Sequence, residues 1–229
     1  MDTVAILVDG GFYLRRAKTL LGEKSAEESA DILHTYCMKH LTHRENGGRV
    51  RDSLYRIFYY DCPPMVRNVY HPFLKRDKSL KKEPLYTWMT EFQNALRSKR
   101  KVALRLGRLA DNGIGYGLSI DTVKKLCNGT LLVSDLTESD FVLNTKQKGV
   151  DMRIGLDIAS MAYKHQVTKM ILISGDSDFV PAAKLARREG IDFVLNPMGA
   201  KIGPDLNEHI DGIINPGFNI DVRKDRSVD

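Results

Sequence analysis

The run Val4-Ala5-Ile6-Leu7-Val8 is apolar at every position and stops abruptly at Asp9-Gly10-Gly11. A strand with one wet face alternates apolar and polar residues. An unbroken apolar run therefore predicts a strand covered on both faces, as in a parallel sheet between two helical layers. Lys169 to Ser174 repeats the pattern, with Met170-Ile171-Leu172-Ile173 running into Ser174-Gly175-Asp176. Leu54 to Tyr60 reads as a third strand, stopped by Asp61-Cys62-Pro63-Pro64, with Val102–Leu106 and Ile191–Leu195 as two more.

Helical patterns fill the intervals. One carries Phe12, Leu14, Ala17, Leu20 and Leu21; the next spans Ala26 to Leu41 with Ile32, Leu33, Tyr36 and Leu41 inward. Pro84 opens a third, with Leu85, Trp88, Met89, Phe92, Ala95 and Leu96 at amphipathic spacing. Val150 to His165 presents Ile154, Ile158 and Met161 on one stripe, and Asp178 to Glu189 has Pro181 in its first turn. Strands alternating with helices predict an α/β fold, a three-layer α/β/α sandwich around a mostly parallel sheet.

With 229 residues and no linker-like stretch, the chain reads as one domain over residues 1–215. Residues 72–147 form its least legible part and read as a variable insert, and 216–229 as a loose tail. Within the insert, Gly113, Gly115 and Gly117 lack the strand-before, helix-after setting of a dinucleotide loop and read as a surface loop or hairpin. No apolar stretch approaches the roughly 20 residues of a membrane helix, and the N-terminus has no signal-peptide pattern. Cys37, Cys62 and Cys127 lie far apart without a CxxC pair, which favours a reducing, cytoplasmic setting over a disulfide framework or a zinc site.

Two strands end at an acidic residue followed by a turn, Asp9 and Asp176. In open parallel sheets ligands bind beyond the carboxyl ends of the strands, so these two share a crevice if their strands are neighbours. Asp178 lies two residues after Asp176, and Asp151 opens another helix. Taken singly, Asp151 and Asp178 are ordinary first-turn acids and Asp9 ordinary turn chemistry. Together the four would repel one another unless a cation neutralised them, and hard oxygen ligands suit Mg²⁺ or Mn²⁺. Asp157 is six positions after Asp151, about 240° round the helix. It reads first as a structural acid paired with a buried basic or hydroxyl group, and second as support behind the ligands, together with Ser174 and Ser177.

The net charge of +6 is unevenly distributed. Lys75, Arg76, Lys78, Lys81 and Lys82 form one cluster, Arg97, Lys99, Arg100 and Lys101 a second, and Arg105 and Arg108 follow. Any one cluster is commonly a solvated face, but three in one third of the chain favour a surface turned towards a polyanion. Lys78, Lys81, Lys82 and Lys148 are the candidate substrate contacts. Tyr86, Trp88 and Phe92 could stack on a base, although their helical spacing favours core packing.

At these residues the sequence resembles the NYN family, the branch of the PIN-like nuclease superfamily that includes LabA-like proteins. The resemblance rests on Ile6-Leu7-Val8-Asp9-Gly10-Gly11-Phe12-Tyr13, on Lys148-Gly149-Val150-Asp151-Met152 with Leu156-Asp157 behind it, and on Ser174-Gly175-Asp176-Ser177-Asp178-Phe179. Tyr59 to Pro64 is similar to the segment after the family's second strand. It implies metal-dependent phosphodiester hydrolysis, most often of RNA, with Asp9, Asp151, Asp176 and Asp178 as metal-site and catalytic residues and Mg²⁺ or Mn²⁺ as cofactor. RNA is the expected partner, with DNA and a homo-oligomer left open. An RNA- or nucleotide-binding module of the same fold without catalysis is the main alternative. A haloacid-dehalogenase-like phosphatase would need an aspartate at the position of Gly11, and a receiver-like domain a lysine after a late strand, where Asn196-Pro197 stands.

Overall fold

The computed structural model describes residues 1–45, 47–110, 113–145 and 147–218; residues 219–229 of the expected tail lie outside them. Six strands form the central sheet: β1 (Thr3–Asp9), β2 (Ser53–Asp61), β3 (Val102–Leu106), β4 (Lys169–Ile173), β5 (Asp192–Asn196) and β6 (Gly212–Ile213). Their order across the sheet is β6-β5-β4-β1-β2-β3, and every pairing is parallel. The chain winds outward from β1 in one direction, then returns to β4 and winds outward in the other. Strand order thus reverses between β1 and β4, which is where open parallel sheets leave a crevice at their carboxyl edge.

Two helical layers cover the sheet. Helices α1 (Gly10–Leu21), α2 (Ala26–Lys39) and α3 (Pro84–Ser98) lie over the face formed by Val4, Ile6, Val8, Ile171 and Ile173. A small helix, α4 (Ile120–Cys127), belongs to the excursion between β3 and β4. Helices α5 (Val150–Tyr163), α6 (Val180–Arg188) and α7 (Pro204–Glu208) line the opposite face, against Ala5, Leu7, Met170 and Leu172. The strand residues Val4 to Val8 and Met170 to Ile173 are all fully buried, which is why neither run shows alternation. Each such Val, Leu or Ile contributes about 1.5–3 kcal/mol through burial.

The local signals explain the element ends. Ser25 and Glu28 form a reciprocal capping box at the start of α2, and Pro84 occupies the first turn of α3 where no backbone donor is needed. Some details differ from the sequence reading. In α1 the large side chain that is fully buried is Tyr13, while Leu20 faces water. Leu85 is likewise exposed, and α3 buries Phe92 and Leu96. Asp178 lies in a single 3-10 turn, Ser177–Phe179, that precedes α6. The glycine-rich stretch pairs as Gly115–Leu118 antiparallel to Phe141–Asn144. A hairpin of Thr42–Glu45 and Gly48–Arg51, which no periodicity marks, leads into β2. Phe218, assigned to the tail by sequence, stacks on Tyr36 with ring centroids 4.2 Å apart. Among the described residues no helix is long and apolar enough to cross a membrane.

Candidate functional site

The register pairs Val8 with Ile173 and Asp9 with Tyr60, so the residues after Val8 and Ile173 emerge side by side at the carboxyl edge. Asp9 is the N-cap of α1: its Oδ1 accepts the Phe12 backbone N–H at 3.0 Å. Its Oδ2 accepts the hydroxyl of Ser174 at 3.1 Å, and the Ser174 oxygen in turn accepts the Asp176 N–H at 3.3 Å. Ser174 is fully buried and so joins the two strand-end acids from beneath. Asp176 caps the 3-10 turn, accepting the Asp178 N–H at 3.0 Å.

Gly10 is fixed by close approach. A Cβ there would lie 2.6 Å from the Tyr59 hydroxyl and 2.6 Å from the Tyr60 carbonyl oxygen. Only glycine lets α1 begin this close to β2. Gly11 is different, with its nearest neighbour, Asp9 Oδ1, at 3.6 Å from such a Cβ.

The acids act on one another. Burial holds the Asp9 carboxyl above the usual range, and the charge of Asp176 adds to this against the opposing pull of the Phe12 N–H, Ser174 and Arg15. Asp151 is raised by burial and then by repulsion from Asp9, Asp176 and Asp178. The structure thus brings Asp9, Asp151, Asp176 and Asp178 into one electrostatic neighbourhood. Their donor atoms are hard oxygens, which fit Mg²⁺ or Mn²⁺. Among the described residues, however, no three acidic, imidazole or thiol side chains stand grouped as a ready ligand set. Binding would need these carboxylates to draw together.

Three residues missed in the sequence belong to this edge. Asp61 ends β2 and is buried; it accepts the Tyr59 hydroxyl at 2.8 Å, the Cys62 N–H at 2.7 Å and the Gln147 amide at 3.0 Å. Burial raises its carboxyl, and Asp9 adds repulsion. With three of its roughly four acceptor positions engaged, Asp61 is suited to positioning its neighbours rather than to ligating. Its signal was present, since it stops an apolar strand as Asp9 and Asp176 do. Gln147 links this acid to the segment that leads into α5, and Arg15 is the cation acting on Asp9. Gln147 arrives through a tertiary contact and Arg15 from within the helix that Asp9 caps, where one arginine in the pattern carries no signal.

The remaining candidates separate. Asp157 accepts the Tyr60 hydroxyl at 2.9 Å and both Arg105 Nε and Nη2 at 2.8 and 2.6 Å. Its partners are the hydroxyl and basic groups of a structural acid. Ser177 is exposed and packs near Gly203, where a Cβ would meet its hydroxyl at 2.7 Å. Lys148 is exposed beside Gln147. Lys81 and Lys82 are exposed in a 3-10 turn before α3. Lys78 is not a free cation: its Nζ contacts Glu138 at 2.8 Å and Glu83 at 3.3 Å, which offsets the charge expected to meet a phosphate. Trp88 stacks on the buried Phe92 at 5.1 Å and donates its indole N–H to the Lys24 carbonyl, so core packing accounts for it.

A family model described as the NYN domain matches residues 55–203, about two thirds of the chain. Asp151, Asp176 and Asp178 fall within the match, and Asp9 precedes it. No curated protein matches the chain. The crystal structure of a protein of unknown function from Vibrio parahaemolyticus covers 93% of this chain and 92% of its own, at 13% identity and a TM-score of 0.46.

Proposed function

The chain belongs to the NYN domain family of PIN-like nucleases, and on that premise we propose that it is a divalent-metal-dependent nuclease that cleaves the phosphodiester backbone of RNA. The observation that carries the proposal is the gathering of acids at the edge where strand order reverses: Ser174 bridges the Asp9 carboxylate to the Asp176 backbone, Asp178 follows on the same turn, and Asp151 opens the helix close enough for their charges to act on it. Four acids gathered at such a crevice carry more negative charge than Arg15 offsets, and a divalent cation would complete them. Asp9, Asp151, Asp176 and Asp178 would hold it, and Mg²⁺ or Mn²⁺ would supply Lewis-acid polarisation of the phosphate and activation of water.

The chain's own residues do the rest. Ser174 fixes the Asp9 carboxylate and the Asp176 backbone in one arrangement, which limits the reorganisation needed on binding. Asp61 ties down Gln147, and with it the segment carrying Lys148 towards Asp151. Lys148 and Arg15 are the cations placed to orient a phosphate at an edge that otherwise repels it.

Asp176→Asn provides the test. Cleavage of labelled single-stranded RNA in Mn²⁺ should fall by more than the 10–100-fold typical of losing a group behind the ligands. The fold should be kept, with a melting temperature equal or higher without metal because one like charge is gone. Unchanged cleavage by the purified variant would sink the assignment. RNA binding without cleavage by the unaltered protein would instead favour a binding module.

A further inference from the structure

The amino-terminal ends of β2 and β3 carry the opposite charge. The hairpin Thr42–Glu45/Gly48–Arg51 runs through Asp52 into β2, and Arg100 and Lys101 lead into β3. Both therefore sit at the far end of strands whose other ends reach the acid edge. The nine residues of β2 alone separate the two ends by about 25–30 Å.

The hairpin places Arg44 directly opposite Arg49, and Arg51 opposite Thr42. Like charges facing each other across a hairpin destabilise it, so this pairing costs the fold something. Arg44, Arg49, Arg51, Arg100 and Lys101 are all exposed. No carboxylate among the described side chains pairs with Arg44, Arg49, Arg51 or Arg100. Beside them lies a cleft of about 340 Å³, whose polar lining is His34, Arg51, Asp52, Arg100 and Lys101. Its one acid is already committed: Asp52 is buried, accepts the Asp2 N–H at 3.0 Å and lies 3.5 Å from His43 Nδ1. The carboxyl end of α3 attracts cations and accounts for Arg97 and Arg100. It does not account for three arginines on a hairpin outside that helix.

We propose that this basic edge is a second RNA contact, holding backbone phosphates of the same strand that is cut at the acid edge. The inference rests on the nuclease reading for its substrate. Arginine suits the role because its planar fork pairs with phosphate through two parallel bonds. Such contacts position the strand and carry no sequence information. They make affinity depend on length, because a short RNA can occupy only one edge.

The experiment measures binding without metal, by fluorescence anisotropy in EDTA across a salt series. It uses one single-stranded RNA of roughly 30 nucleotides and one of roughly 3, respectively longer and shorter than the span between the edges. In Arg44→Gln/Arg49→Gln/Arg51→Gln, which also relieves the Arg44–Arg49 repulsion, the log–log salt slope for the long RNA should fall by about two units. The same three positions changed to Lys should retain most of the slope. Equal slopes for the Gln variant and the unaltered protein would overturn the proposal, as would an unaltered protein whose RNA binding ignores salt. Cleavage is scored separately: a protein that binds with the expected slope and never cleaves removes the nuclease reading and leaves the basic edge standing.

Discussion

The carboxyl edge of the sheet and the polar groups packed on its two faces treat their polar and charged side chains in different ways. At the edge, burial and neighbouring carboxylates raise Asp9 and Asp151; Arg15 acts against the shift at Asp9, and among the described residues no cation does so at Asp151. Within the face under α5, Asp157 meets a tyrosine hydroxyl and a two-pronged arginine. Within the opposite face, the Asn196 amide donates to the Tyr36 hydroxyl at 2.8 Å and contacts His40 at 2.6 Å, while its oxygen accepts the Met198 N–H at 2.8 Å. Buried polar groups that hold a fold together are normally satisfied, since each unpaired one costs about 1–3 kcal/mol. At the edge, local donors reach Asp9 and Asp176, yet four like charges still stand together with Arg15 as the cation acting on Asp9, which signals a requirement other than stability. Asp61 lies between the two cases, at the edge yet supplied with three donors.

Gly10→Ala breaks the geometry that makes the edge and should have the largest effect. Its Cβ would be forced against the Tyr60 carbonyl, part of the sheet backbone, which cannot swing away as a side-chain tip can. A loss of about 3 kcal/mol or more is expected, at the upper end of overpacking penalties. Gly11→Ala meets only ordinary contacts and should change stability by about 0.5 kcal/mol or less. Denaturant unfolding followed by circular dichroism compares the two. Equal losses would mean that α1 is not held against β2 as described.

The strands that bear the edge were legible because burial on both faces leaves an unmistakable apolar run. Four of its acids were legible because each stands at a strand end or helix start. Asp61 stands at a strand end too, but the Cys62-Pro63-Pro64 stop directly after it makes the acid look like part of a turn. The far end of the sheet was only half visible. Arg100 and Lys101 appeared as a charge cluster, whereas Arg44, Arg49 and Arg51 join them through a hairpin with no hydrophobic alternation to announce it. Lys78 shows the converse failure. A basic run looks free in sequence, but Glu138 reaches Lys78 from sixty residues away.

Acid should distinguish the satisfied networks from the edge. His40 is buried, its Nδ1 lies 2.9 Å from the Tyr36 carbonyl, and its other nitrogen faces the Asn196 amide. Donation from Nδ1 to that carbonyl leaves Nε2 as an acceptor, and protonation would set donor against donor. Burial accordingly pushes the His40 pKa down to about 4. The unfolded chain, with an ordinary value near 6.5, takes up the proton first. The contribution of His40 is therefore complete above about pH 6.5, falls as pH drops towards 4, and is level below that, for a total loss of about 3 kcal/mol. Asp9 and Asp151, with raised values, respond in the opposite sense: protonation relieves the folded state. Unfolding free energies between pH 4 and 7 for the protein and for His40→Gln isolate the first effect. Parallel curves would show that the imidazole is not held neutral.

Asp157→Asn is the smallest change and the most discriminating, because Asp157 shares a helix with Asp151 but belongs to the satisfied class. An asparagine keeps one acceptor oxygen, enough for the Tyr60 hydroxyl or for one arm of Arg105. It loses the charge and the second arm. The Arg105 side chain is 47% exposed, so water screens much of this ion pair and the Coulomb energy must be discounted. Tyr60, in contrast, is fully buried, and its hydroxyl has Asp157 as its partner. Keeping that bond should hold the loss to about 1 kcal/mol, whereas Asp157→Ala, which orphans the hydroxyl, should cost about 2–3 kcal/mol. Mn²⁺ affinity by calorimetry should be the same in both variants as in the unaltered protein, since none of the hydrogen bonds of Asp157 among the described residues reaches Asp9, Asp151, Asp176 or Asp178. A fall in metal affinity matching that of Asp176→Asn, with no change in melting temperature, would move Asp157 from the scaffold to the site and erase the distinction between them.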